Sequence, residues 1–214
     1  LAAALPEALR RAGREGEVRL LLTRMALGGA ERDAAARALL AAAGLSDLYS
    51  NEDVARLLAH LAADASTRAI ALPAALCDFE PAALDEPSGA AFGRRSHPRL
   101  SSERPYTLGL RPAEKVAPRL RAERKDLFLT LFKTTAGEAP PAQYARGLAL
   151  LKRSSANLVL ANDLRTRRNV VITPEQARYH ETTDRDEAVR GLAEMIALRA
   201  GLRFTRSTVV PGEP

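Results

Sequence analysis

The sequence predicts an α/β three-layer domain with a mostly parallel central sheet, and three observations carry that expectation. Residues 126–173 set two apolar runs of strand length on either side of a helix-length segment. Polar residues collect where both runs end. Further buried-strand runs stand at 18–23 (VRLLLT) and 68–75 (RAIALPAA), with helical segments between them. Strand, polar turn, helix and strand in succession form a βαβ unit, for which a right-handed crossover is expected.

In the central stretch, residues 127–132 are short and dense enough in apolar residues for a fully buried strand. A turn carrying Lys133, Thr134, Thr135, Gly137 and Glu138 follows. A helix over 141–153 puts Tyr144, Leu148 and Leu151 on one face. A second buried strand, 158–161, ends in Asn162 and Asp163, and a short basic link leads to a third strand at 169–173. In open α/β sheets, ligands bind in the crevice beyond the carboxyl ends of the strands. The chemistry is therefore expected around residues 133–138 and 162–163.

The 214 residues suit a single domain, 1–214. Apolar residues at 46% and charged residues at 27% suit a globular chain rather than a disordered one. No apolar run is long enough to span a bilayer, and no signal-peptide pattern leads the chain, so a cytoplasmic location and no membrane partner are expected. The single cysteine, Cys77, excludes an internal disulfide and a cysteine-rich zinc site. With 32 basic and 26 acidic residues the net charge is +6. That excess fits either a solvated, arginine-rich surface or an anionic small ligand such as a phosphate ester. Nucleic acid is the poorer fit, because aromatic residues make up only 4% of the chain and offer few stacking platforms.

Taken in order, Leu1, Leu5 and Leu9 recur at helical spacing, and Gly13 with Gly16 closes that helix. A helix that enters a buried strand is normally itself preceded by a strand, so an N-terminal strand upstream of Leu1 is expected. Residues 30–43 form an alanine-rich helix with Gly44 as its C-cap. Residues 45–49 read as a short strand, and Ser50 as the N-cap of a helix over 52–64 with Asp53 in its first turn. Pro73 ends pairing of the strand at 68–75. Residues 82–104, rich in Pro, Ser, Gly and Arg, read as a binding flap. A strand at 106–110 precedes a helix that opens at Pro112 and ends near Arg124. A possible edge strand at 179–182 is followed by a helix over 184–200, capped by Thr183 and stopped by Gly201, and by a closing strand at 204–210.

Each candidate site has an ordinary structural alternative. Residues 74–79 (AALCDF) put small residues where a ligand can approach the backbone, with Asp78 to orient a donor; a packed strand end with a solvated aspartate has the same composition. Lys133, Thr134 and Thr135 offer a cation and two hydroxyls suited to phosphate or ribose, and equally suited to a surface turn. Asn162 and Asp163 suit a base edge and a metal or ribose, or turn chemistry alone. Arg94, Arg95, His97 and Arg99 form a basic flap that can close on phosphates or lie solvated. Cys77 has no activating base nearby in sequence and reads as a buried thiol. His60 and His180 lie in no cluster with metal-ligand spacing, and Gly28-Gly29 lacks the third glycine of a dinucleotide fingerprint.

In register over most of 18–200, these stretches resemble the phosphopantothenate–cysteine ligase family. AALCDF at 74–79 is similar to the family's AAVSDF/AAVSDY segment. HPRLSS at 97–102 is similar to its flap, with Arg99 in place of the usual lysine. Phe132 to Thr135 resembles its F-K-x-E-T strand end, Ala145-Arg146 the start of its next helix, and LVLAND at 158–163 its AND strand. The resemblance implies a Rossmann-like fold, with a small antiparallel edge or flap, and a homodimer. It also implies a nucleotide-dependent ligase that joins 4′-phosphopantothenate to cysteine through an acyl-nucleotide, with ATP or CTP as co-substrate and Mg²⁺. By resemblance, Ala74, Ala75, Asp78 and Arg99 would meet the acid, and Lys133, Thr134, Thr135, Asn162 and Asp163 the nucleotide, with Lys133 and Asp78 as the catalytic pair. The direct bridge at 164–168, without the longer loop of CTP-using members, looks more like the ATP-using branch. The glycine-rich turn and asparagine segment of the family would precede Leu1. A paralogue acting on a related carboxylate, and a nucleotide-binding or scaffold protein that kept the fold and lost catalysis, are the alternatives.

Overall fold

A computed structural model describes residues 1, 3–14, 18, 34–84, 103, 105 and 107–205. In chain order the elements are α1 (Ala4–Arg11), α2 (Ala34–Ala42), α3 (Asn51–Ala63), β1 (Ala69–Leu72), β2 (Phe79–Leu84) and β3 (Leu108–Pro112). They continue with α4 (Val116–Glu123), β4 (Phe128–Thr135), α5 (Pro140–Ser154), β5 (Leu158–Asp163), β6 (Asn169–Ile172), β7 (Arg178–Thr182) and α6 (Arg185–Thr205). Residues 19–23 of the strand expected at 18–23, residues 85–102 of the flap expected at 82–104, with Arg99, and the tail after residue 205 lie outside the described residues, while residues 82–84 of that flap end β2.

The main sheet has the order β1-β4-β5-β6-β7. β1, β4 and β5 are parallel, with Leu72 opposite Leu131 and Lys133 opposite Ala161. β6 and β7 extend the sheet antiparallel. The βαβ unit of the central stretch is thus present, as β4-α5-β5. The next strand reverses because the link at 164–168 is too short for a crossover, which needs a dozen residues or more. The sheet is therefore mixed, with a parallel core.

Alternation along β4 and β5 sorts the core into two layers. Leu129, Leu131, Val159 and Ala161 pack on one face with Val54 and Leu58 of α3, Leu120 of α4 and Leu151 of α5. Phe128, Leu158, Leu160 and Val171 pack on the other with Ala188, Leu192 and Ile196 of α6, joined by Leu1 and Leu5. The helix–sheet–helix sandwich expected of the sequence is what forms.

Several local expectations hold and others give way. Ser50 caps α3 in a reciprocal capping box with Asp53, and Gly44 ends the α2 segment at φ +68°, the left-handed region glycine enters freely. Residues 45–49 form no strand: Leu45 and Leu48 bury against Leu40 and Leu57 as a loop. The strand expected at 68–75 pairs only over Ala69–Leu72. The strand at 106–110 is displaced to Leu108–Pro112, so Pro112 ends a strand opposite Phe79 rather than opening a helix. A proline is tolerated there because the end of a two-stranded ribbon needs no further donor. The α6 cap is Asp184, not Thr183, since its carboxylate accepts from the N–H groups of Asp186 (2.8 Å) and Glu187 (3.1 Å). The same helix runs through Gly201 to Thr205, which removes the first residues of the expected closing strand. One glycine costs only about 1 kcal/mol within a helix and does not by itself end one.

Helix and sheet approach closely at Gly147 of α5. A methyl carbon there would stand 2.5 Å from Ile172 Cδ1 and 3.2 Å from the Ala161 methyl. Gly147→Val is expected to destabilise the protein by about 3 kcal/mol through overpacking. The check is the midpoint of urea unfolding, and an unchanged midpoint would mean that α5 is free to lift off the sheet.

Candidate active site

The carboxyl ends of β1, β4 and β5 lie side by side, and the polar residues singled out from the sequence sit on or just beyond them. Strand β4 is longer than expected, so Lys133, Thr134 and Thr135 are strand residues and the turn proper is 136–138. The pleat then divides the set. Thr134 stands opposite Asn162, and its hydroxyl donates to the Asn162 side-chain oxygen at 3.3 Å. Lys133, Thr135 and Asp163 point to the other face, toward α5.

Asp163 has the densest set of contacts. It is 2% exposed and its carboxylate accepts from six donors. These are the Thr135 hydroxyl (2.8 Å), the N–H groups of Gly137 (2.8 Å), Glu138 (3.1 Å), Arg165 (3.0 Å) and Thr166 (2.8 Å), and the Thr166 hydroxyl (3.1 Å). The Thr166 N–H above all, with Gly137, Thr135 and Glu138, holds its carboxyl far below the usual carboxylate range against the opposing effect of burial. Six donors occupy the carboxylate's lone pairs, so Asp163 locks the loop after β4 to the loop after β5 and would serve a ligand by positioning. Gly137 makes the lock possible: its φ is +80°, and a side chain there would meet the Arg165 Cδ at 2.9 Å.

Asp78 lies on the segment after β1 and is 79% exposed on its side chain. Its carboxylate pairs with the Lys115 ammonium, and its carbonyl accepts from the Ala113 N–H at 2.9 Å. The hydrogen bond and charge of Lys115 lower its pKa first, with smaller contributions from the charges of Lys133 and Arg153. Asp78 is thus an ionised acceptor within the field of three cations. Lys133 is two residues past Leu131, the partner of Leu72, at which pairing with β1 ends. Ala74 is half-buried and Ala75 exposed. The structure therefore brings Asp78, Lys115 and Lys133 into one electrostatic neighbourhood, with Ala74 and Ala75 on the segment that leads to Asp78, and sets Thr134 and Thr135 beside Asn162 and Asp163 on the adjoining ends of β4 and β5.

Two residues at this site escape a reading of the sequence. Lys115 belongs to the stretch taken as helix, and only its place after β3 puts it opposite Asp78. Asn51, which stands between the expected cap at Ser50 and the expected helix over 52–64 and has no site signal of its own, bonds the backbone of Cys77. Cys77 itself is exposed rather than buried, because β1 ends at Leu72 and the following segment runs along the surface. Among the described residues no group of three His, Cys, Asp or Glu side chains is placed to hold a metal ion. Nor is any described helix long and apolar enough to cross a membrane.

No protein-family model matches the chain, and no curated protein matches it by sequence. Solved structures share its fold. The DNA/pantothenate metabolism flavoprotein from Streptococcus pneumoniae superposes with a TM-score of 0.60 at 17% identity, over 94% of this chain and 85% of that one. A Cab2 mutant in complex with phosphopantothenate-cysteine gives a TM-score of 0.50 at 19% identity. That match covers 77% of this chain and 55% of the Cab2 chain, so this chain spans about half the length of Cab2. At these identities the likeness establishes the fold.

Proposed function

We propose that the chain is a nucleotide-dependent, amide-forming ligase that joins 4′-phosphopantothenate to cysteine through an acyl-nucleotide intermediate. The observation that carries the proposal is the placement of Asp78, Lys115 and Lys133 in one sector, beside the Asp163-locked end of β5. The shared fold supports it: one neighbour is described by pantothenate metabolism, and another holds phosphopantothenate-cysteine.

In the first step a carboxylate oxygen of the acid attacks the α-phosphorus of the nucleotide, and pyrophosphate leaves. In the second, the cysteine amine attacks the acyl carbon and the nucleoside monophosphate leaves. Lys133 is assigned to neutralise charge that grows on the phosphoryl oxygens, where a fixed cation contributes most in a partly dehydrated site. Asp78, ionised beside Lys115, accepts a hydrogen bond from a hydroxyl or amide N–H of the acid and so orients it. Thr134 and Asn162 face the nucleotide from the other side of the pleat, while Asp163 keeps both loops in place. Mg²⁺ is taken to arrive on the nucleotide phosphates, which suits an ion that keeps few protein ligands. A homodimer belongs to the same proposal. The β2–β3 ribbon stands apart from the main sheet with Phe79, Leu108 and Leu110 between 45% and 58% exposed, a surface suited to a second copy.

The test is pyrophosphate release by the full-length protein with 4′-phosphopantothenate and Mg²⁺, comparing ATP with CTP, with and without cysteine. Release is expected to require the acid and to be faster with ATP. Saturable nucleotide binding without release from either nucleotide would overturn the ligase and leave a nucleotide-binding protein that kept the fold.

A further inference from the structure

One contact between distant parts of the chain takes no part in the chemistry above. The Asn51 carboxamide grips both sides of Cys77: its Nδ2 donates to the Cys77 carbonyl at 2.7 Å, and its Oδ1 accepts from the Cys77 N–H at 3.0 Å. Residues 73–78 follow the end of β1 at Leu72 and have no ladder partner among the described residues, so the carboxamide supplies at Cys77 the donor and acceptor that a neighbouring strand would supply. Asn51 is itself well anchored. It is the first residue of α3, and the preceding turn is closed by Ser50 and Asp53, each accepting from the other's N–H at 3.0 and 3.2 Å. Immediately after Cys77, the Asp78 carbonyl is held by Ala113 and its carboxylate by Lys115.

We infer that Asn51 is a positioning residue for the acid-binding sector: by fixing the Cys77 peptide it sets where the Asp78 carboxylate stands relative to Lys115 and Lys133. The inference rests on the proposed ligase function, in which Asp78 meets the acid. Both ends of the contact are at the surface, Cys77 exposed and Asn51 half-buried, so water can replace the lost bonds in a variant. Its loss therefore acts on the placement of the segment more than on stability. A displacement of about 1 Å at a group that orients a substrate is enough to cost up to a hundredfold in rate.

Two variants separate this role from helix capping. Asn51→Ala removes the grip. Asn51→Asp keeps a good residue for the first turn of a helix but sets a second oxygen against the Cys77 carbonyl, breaking the grip while α3 stays intact. Both are expected to raise KM for 4′-phosphopantothenate about tenfold, with KM for the nucleotide within twofold and Tm within about 4 °C of the wild type. Because Cys77 is the only cysteine of these 214 residues, its rate of labelling by a maleimide, located by peptide mapping, reports on the segment directly. Measured without free cysteine, 4′-phosphopantothenate is expected to slow labelling in the wild type and to do so poorly in both variants. An unchanged KM for the acid in an active enzyme, or a parallel rise in both KM values, would overturn the positioning role. If the wild type does not ligate, the ligase function fails and labelling decides the rest. Protection by the acid that is lost in Asn51→Asp supports the positioning role, and the absence of protection in the wild type overturns it.

Discussion

Asp163→Ala is expected to lower Tm by on the order of 10 °C and to remove ligation activity with it. Six donors lose their shared acceptor at once, among them four backbone N–H groups in two loops, and hydrogen bonds to a charged group contribute more than average ones. Asp163→Asn is no rescue. Its amide would bring a second donor into a nest of donors, so it is expected to fall close to the alanine variant. The pH dependence has a definite sign. The folded-state pKa is depressed from the ordinary 3.8, so the contribution of Asp163 is complete above that value and fades as the pH falls below it toward the folded pKa. Acid unfolding of the wild type is therefore expected to steepen below about pH 4, and the alanine variant to show a flatter curve over the same window. Thermal melts at pH 7 and at pH 3 measure both effects. A variant that melts like the wild type at pH 7 would show that the loops hold without the lock.

Lys133→Ala is expected to leave Tm nearly unchanged and to slow pyrophosphate release by about 10² to 10³, the usual cost of removing one preorganised charge at a developing anion. No ion pair holds Lys133 in the fold among the contacts described, and its methylene stem is only half-buried on β4. Lys133→Arg keeps the charge on a different geometry and is expected to recover part of the rate. The informative readout is kcat against KM for the nucleotide: a fall in kcat marks charge that matters in the transition state, and a rise in KM alone marks ground-state binding. A variant as fast as the wild type would move the catalytic cation to Lys115 or Arg153.

Two of the arginines behind the charge excess have an architectural use, which composition alone leaves open. At the amino ends of the strands, away from the site, Arg121 donates to the Leu127 carbonyl (2.8 Å) and the Asn157 side chain (2.8 Å). Arg124 reaches the Ala62 carbonyl (2.6 Å) and the Thr67 carbonyl (3.2 Å). These guanidinium groups tie the ends of α3 and α4 to the sheet, and such cations contribute little to a ligand site at the opposite edge.

The β4-α5-β5 unit, the capped start of α3 and the gathering of polar residues at strand ends were all legible from local pattern. Burial of 127–131 and 158–161 follows from dense apolar runs, and the cap at Ser50 from a serine followed three residues later by an acid. The displaced β3 and the loop at 45–49 were not legible, because a short apolar run buries as readily in a loop as in a strand. Whether it pairs depends on a neighbour far away in sequence. The same limit hid Lys115, which meets Asp78 across 37 residues, and Asn51, which meets Cys77 across 26.

The sequence by itself determined the layer order of this protein and the candidate residues of its site, since hydrophobic period and turn chemistry act over a few residues and are written locally. Tertiary structure decided what those residues do. It turned Asp163 from a free carboxylate into the lock of two loops and set Lys133 and Asn162 on opposite faces of the pleat. It also bound Asp78 to Lys115, which follows the partner strand of the same two-stranded ribbon. Hydrogen bonds and ion pairs form between whichever groups folding brings within about 3 Å, and that distance is a property of the packed sheet rather than of any stretch of chain.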